Sequence, residues 1–198
     1  MGTYDTVRNR TKTAIIESFW KLYCKKDICK ITVKDITDAT GIHRATFYLY
    51  FDNVFSVLDA IKNEQLDKLK YICNTYTSSD NDYADFLNAM RKLYDENEAY
   101  LKPLLCQYRE NEFAVQYRQI MKAKLRTDIG WQQYPEGSTA YLIVDSILSG
   151  MIEAFVSCLQ TRAFPLESAY RIASQSVDKG IAPAIEREFG ITIHPSAR

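Results

Sequence analysis

The chain is poor in residues that break regular structure. It has 7 glycines and 5 prolines among 198 residues, which disfavours a loop-rich all-β architecture and favours helix. It also has no excess of either charge, with 25 Lys+Arg against 25 Asp+Glu. That balance excludes a histone-like polybasic binder and an acidic disordered tail alike. No run of about 18 apolar residues occurs, so no membrane span is expected. The start, Met1 to Asp5, lacks the apolar stretch of a signal peptide, and the expected location is the cytoplasm. The five cysteines are scattered and form no C-x-x-C. The expectation is therefore a reducing compartment with mostly buried thiols rather than a disulfide framework or a metal site. Only two histidines occur, His43 and His194, and the sequence contains no G-x-G-x-x-G, no phosphate-binding loop, no H-E-x-x-H and no G-x-S-x-G. These patterns hold dinucleotides, phosphates, zinc and nucleophilic serines; without them the chain reads as a non-enzyme with no cofactor and no metal.

What is present is helical periodicity along almost the whole length. Apolar residues recur at three- and four-residue steps from Thr6 to Tyr23 through Ile15, Phe19 and Leu22, the mark of one buried helix face. Thr32 followed by Asp35 is a capping box for a short helix, which Gly41 ends. A second short helix is expected from about Arg44 to Tyr50, and Asn53 is placed to cap a long one reaching Ile72. Residues 77–82 are the clearest loop. Helical patterns resume over Tyr83–Glu96, Ala99–Cys106 with a bend at Pro103, Glu112–Ile129, Ser138–Gln160 and Leu166–Phe189. The expected fold is all-α, about nine helices with no strand.

Charge divides the chain. Residues 1–50 hold nine Lys+Arg against five acids, a net +4, and residues 51–198 carry the compensating −4. A basic first quarter on an acidic remainder fits a small nucleic-acid module joined to a larger body. Within it, residues 31–51 read as helix, tight turn and helix, with Val33, Ile36, Ile42, Phe47 and Phe51 inward. The second helix is expected to present His43, Arg44, Thr46 and Tyr48, on an element small enough for a major groove.

The pattern Thr32-Val33-x-x-Ile36-x-x-Ala39-x-Gly41-Ile42-x-Arg44-Ala45-Thr46-Phe47-Tyr48-x-Tyr50-Phe51 resembles the DNA-binding signature of the tetracycline-repressor (TetR) family of bacterial transcriptional regulators. The remainder is similar to that family in length and helical layout. The resemblance implies a three-helix DNA-binding head over residues 1–52, containing a helix-turn-helix, and a ligand-binding and dimerisation domain over residues 53–198. It implies phosphate or base contacts from Thr32, Lys34, His43, Arg44, Ala45, Thr46, Tyr48, Tyr50 and Asn53, with Arg44 the candidate for a guanine. Three positions depart from the family pattern. Thr37 replaces a small residue before the turn, His43 replaces a Ser or Thr at the start of the recognition helix, and Val54 replaces a lysine that would touch a phosphate.

A regulator of this kind binds a palindromic double-stranded operator as a homodimer and answers to a small-molecule effector. For the effector, the aromatic-rich body offers Phe86, Met90, Tyr94, Tyr117, Met121 and Tyr141, residues with an apolar face and, for tyrosine, a hydroxyl. Asp145 and Glu153 on an apolar helix would suit a cationic ligand, although simple surface exposure explains them equally. For the dimer, one stripe comprises Ile143, Ile147, Gly150, Met151, Ala154 and Phe155, and a second comprises Ala169, Ile172, Ala173 and Ser176. Two such helices per protomer make a four-helix interface about a two-fold axis. The competing reading is a helical small-molecule-binding protein or enzyme whose N-terminal helices are only structural.

Overall fold

The computed structural model describes residues 3–76, 83–106, 111–128 and 137–161, together with Ser168, Arg171, Gln175, Lys179, Gly180, Pro183, Glu186 and Arg187. Seven α-helices occupy these residues and no strand is present among them, so the chain is all-α. The helices are α1 (Thr3–Tyr23), α2 (Val33–Thr40), α3 (Arg44–Tyr48), α4 (Val54–Thr75), α5 (Tyr83–Cys106), α6 (Glu112–Asp128) and α7 (Thr139–Thr161). Of the helix expected over Leu166–Phe189, eight residues are described and all are in helical conformation, with π geometry at Lys179 and Gly180; the others lie outside the described residues. No described helix is long and apolar enough to cross a membrane.

The chain forms two compact units that meet inside α4, between Glu64 and Gln65. In the first unit, Ile15 and Phe19 of α1 are fully buried and Trp20 nearly so. The rings of Phe19 and Trp20 both stack on Tyr23, at 5.7 and 5.1 Å. After α1 the chain makes a short 3-10 turn, Ile28–Lys30, which the periodicity does not reveal. Asp27 caps it by accepting from the Cys29 amide at 2.8 Å. Lys26 then ties this turn to α2 through a 3.0 Å ion pair with Asp35.

The local chemistry of α2 is as the residues dictate. Thr32 accepts from the Asp35 amide at 3.1 Å, and Asp35 accepts in return from the Thr32 amide at 2.8 Å, a complete capping box. Gly41 closes the helix in the left-handed conformation, φ 72°, and its amide donates to the Thr37 carbonyl at 2.9 Å. Asn53 caps α4 by accepting from the Ser56 amide at 3.0 Å, and Ser56 donates back to the Asn53 carbonyl at 2.7 Å.

In the second unit, α5 breaks where the sequence leaves a gap between two helices. The sequence predicts Tyr83–Glu96 and Ala99–Cys106 as separate helices, the second bent at Pro103. They run on as one element with a kink between them, where Asn97, in the expected gap, leaves helical geometry at φ −123° and ψ 15°. Pro103 has no amide to offer the carbonyl four residues back, and its ring crowds that carbonyl. Asn97 supplies polar contacts at the break. Its side-chain amide donates to the Leu93 carbonyl at 2.9 Å and accepts from the Lys68 ammonium at 2.9 Å. This merger, and the position of the last expected helix, account for seven described helices rather than about nine.

Asn111 starts α6 and links it to α5. It accepts from the Ala114 amide at 2.9 Å and donates to the Leu104 carbonyl at 2.7 Å. Leu104 lies in the last turn of α5, where carbonyls lack partners within the helix. Ser138 caps α7 by accepting from the Tyr141 amide at 3.2 Å.

Against the expectation of mostly buried thiols, one of the four described cysteines is buried and Cys158 is half-buried. Cys73 is buried, but Cys24 and Cys29 are exposed. Partial burial of its sulfur pushes the Cys24 thiol up, away from the thiolate that reactivity needs.

Candidate nucleic-acid interface

The turn at Gly41 sets α3 beside α2. Phe47 is fully buried, as is Ile36 of α2, so α3 is anchored by one side chain near its middle. Thr37 is buried as well, and its hydroxyl is satisfied by the Lys34 carbonyl at 3.1 Å. The larger residue before the turn is thus accommodated without an orphaned polar group. His43 stands at the N-cap of α3 in extended backbone and makes no side-chain cap hydrogen bond. The helix thus starts without the side-chain cap that a Ser or Thr supplies, and the imidazole is exposed.

The candidate contact residues fall into three groups. Lys34, His43, Arg44 and Ala45 are exposed, and Tyr48 is 50% exposed, its ring edge-on to Phe47 at 5.5 Å between centroids. Thr46 and Tyr50 are half-buried. Thr46 is expected from the sequence among the presented residues, but it lies on the flank of α3 nearer Phe47, and Ala45 takes the outward position. Thr32 and Asn53 are exposed, with side-chain oxygens already accepting the amides they cap. Val54 is buried and packs inward rather than toward a phosphate. Sequence reasoning passes over Leu49, which follows α3 directly and is 76% exposed. Its signal is its spacing, one turn beyond Ala45.

In the second unit, five of the six residues considered for an effector share one buried seam. Phe86, Met90 and Tyr94 recur every fourth residue on α5, and Tyr117 and Met121 do so on α6. Burial pushes the Tyr117 phenol well above its ordinary range, and the nearby Cys73 and Tyr94 add to the shift. The phenol therefore stays a neutral hydrogen-bonding group. Lys124, also buried, continues this face of α6 and places its ammonium 5.0 Å from the centre of the Phe86 ring; the sequence pattern does not single it out.

Tyr141 stands apart from the other five. Its hydroxyl accepts from Arg126 at 2.8 Å, and the guanidinium lies 5.0 Å from its ring centre. Arg126 belongs to a row on α6, Arg118, Lys122 and Arg126, spaced four residues apart. Arg118 pairs with Glu153 at 3.1 Å, Lys122 with Asp145 at 2.8 Å, and Arg126 also bonds Asp145. As the row advances along α6 its partners recede along α7, so the two helices run antiparallel. Burial opposes the charge on Asp145, and the hydrogen bonds from Lys122 and Arg126 outweigh it, holding the carboxyl below its ordinary value. Asp145 and Glu153 thus already have cationic partners on α6. They are the α7 half of a helix-to-helix ladder.

Of the expected dimer residues, Gly150 is exposed and Ala154 half-buried. Ile143, Ile147, Met151 and Phe155 lie on α7, with side chains outside the described set, and Ala169, Ile172, Ala173 and Ser176 lie outside it altogether. The face of α7 that meets α6 carries Tyr141, Asp145 and Glu153, with Ile152 and Val156 buried. Leu142, Ser146 and Gly150, spaced four apart, are exposed on another face. No three His, Cys, Asp or Glu side chains gather as a metal-ligand set among the described residues. No family model, no curated protein and no solved structure matches the chain.

Proposed function

We propose that the chain is a DNA-binding transcriptional regulator of the TetR kind, a ligand-responsive repressor that binds a palindromic operator as a homodimer. Residues 43–50 form its recognition helix. The observation that carries this reading is the Gly41 turn leading into a short helix, pinned by buried Phe47, that leaves Arg44, Ala45 and Tyr48 facing solvent. A helix used only for packing has no need to hold a cation and a tyrosine outward in this way. The basic excess of the first fifty residues supports the same reading, because phosphate contacts dominate affinity for duplex DNA. Lys34 and the Thr32 hydroxyl, at the start of α2, are the flanking phosphate contacts.

The second unit holds the effector, along the seam of Tyr94, Tyr117, Met90 and Met121. The helix that links the two functions is α4, whose 22 residues continue from the first unit into the second. Effector binding that displaces α4 changes the spacing of the two recognition helices in the dimer. To act as a switch, the effector must bind one state better than the other by several kcal/mol.

The test is selection of duplexes from a genomic or random DNA pool, followed by titration of the selected duplex at several salt concentrations. The expected winner is palindromic, bound by two chains, with affinity falling steeply as salt rises through counterion release. Arg44→Ala is expected to weaken specific binding by about 1–3 kcal/mol while helix content stays unchanged. Enrichment of no duplex, with and without a metabolite pool, would overturn the proposal.

A further inference from the structure

Once Phe47 is seated, the outward face of α3 is more apolar than charged. At about 100° per residue, Arg44, Tyr48, Ala45 and Leu49 share one arc, and Thr46, Tyr50 and Phe47 share the opposite one. Exposure follows the same division, and Leu49, at 76%, is the most exposed large hydrophobic side chain among the described residues. Its backbone keeps a helical conformation, φ −74° and ψ −16°, and its amide donates to the Thr46 carbonyl at 3.3 Å. The side chain is thus held in the register of α3, one turn beyond the small Ala45. A single surface leucine calls for no explanation; an alanine and a leucine aligned beside an exposed arginine on a recognition helix do.

In the major groove the donors and acceptors of the base edges are polar, and the one apolar group is the 5-methyl of thymine. We propose that Ala45 and Leu49 form a thymine-reading strip, in which Leu49 packs on that methyl group and Ala45 lets the helix approach closely enough for it to do so. Arg44 and Tyr48, on the same arc, supply the polar contacts beside it, and Arg44 together with Lys34 complements the charge of the backbone. Leu49 is then a specificity-determining residue, one that selects a thymine in each half-site without forming a hydrogen bond. This inference rests on the DNA-binding reading above.

The experiment replaces each thymine of one half-site of the selected duplex, one at a time, with deoxyuridine, which lacks only the methyl group. Affinities of the wild-type protein, Leu49→Ala and Arg44→Ala are measured by fluorescence anisotropy. At one thymine, loss of the methyl is expected to weaken wild-type binding about fourfold, the effect of exposing one buried methyl group. Leu49→Ala should bind the thymine duplex more weakly and show no further loss with uracil. Arg44→Ala should lose affinity for both duplexes and keep the wild-type ratio between them. Indifference of the wild type to every thymine-to-uracil change, or full retention of the thymine preference by Leu49→Ala, overturns the inference and leaves the DNA-binding reading standing. Failure to select any duplex overturns that reading and this inference with it.

Discussion

Gly41 is constrained by its backbone rather than by crowding. Its φ is 72°, and nothing lies within 4 Å of where a Cβ would stand. Gly41→Ala should therefore cost only the left-handed conformation, about 1–2 kcal/mol, read as a lower urea midpoint at unchanged slope. Gly41→Asn should cost less, since asparagine visits that region more readily. Asp35 makes a different kind of contribution. The Thr32 amide and then the Lys26 ammonium hold its carboxyl at about 2, against an ordinary 3.8. Between those values the unfolded chain binds the proton and the folded chain does not, so stability rises with pH across that window. The contribution is fully present above pH 3.8 and lost as pH falls toward about 2. Thermal unfolding across that window should show a shallower rise in Tm for Asp35→Asn than for the wild type. The capping box and the glycine stop can be read directly from the sequence because both are local. The tie from Lys26 cannot, since it depends on how the intervening 3-10 turn folds back.

Among the helices, α6 is the most instructive, because it is committed on two sides. Tyr117, Met121 and Lys124 face α5, while Arg118, Lys122 and Arg126 face α7. The apolar period is legible in the sequence, and five of the six candidate effector residues do share one buried seam. The basic period is equally present, but its meaning lies in the acids of α7, on a separate helix. Asp145 is the centre of the ladder, with two cationic partners and side-chain exposure of 27%. Asp145→Ala should lower stability by about 1–3 kcal/mol, since it leaves two half-buried cations unpaired. Glu153, at 40% exposure in its pair with Arg118, should cost less than about 1 kcal/mol on the same change, because the more exposed pair is better screened by solvent. Urea unfolding of both variants checks the order, and equal losses would show that the ladder does not carry the α6–α7 packing. The break in α5 illustrates the same limit. The sequence leaves a gap at Asn97, but only the fold shows Lys68 and the Leu93 carbonyl satisfying its side-chain amide there.

For the molecule as a whole, the proposed switch requires two copies. Gly150 is the place to test this, since it is exposed, on α7, with nothing within 4 Å of where a Cβ would stand. An arginine there is accommodated within a single chain, and replacing glycine inside a helix favours the helix by up to about 1 kcal/mol. Gly150→Arg should therefore leave helix content intact while converting a dimer to a monomer in sedimentation, with loss of palindromic DNA binding. A variant that sediments as the wild type would remove this face of α7 from the interface.

The sequence by itself determined the features that arise between neighbours along the chain. The helical class, the Thr32–Asp35 cap, the Gly41 stop, the Asn53 cap and the inward phase of Ile36 and Phe47 all come from spacings of a few residues, over which backbone geometry is nearly invariant. Tertiary structure alone decided which outward residues stay outward and which charges find partners. Thr46 turns toward the flank and Leu49 toward solvent because Phe47 anchors a five-residue helix in one orientation. Asp145 and Glu153 became structural because α7 lies antiparallel to α6. Those outcomes depend on distances between segments remote in sequence, which no local periodicity encodes.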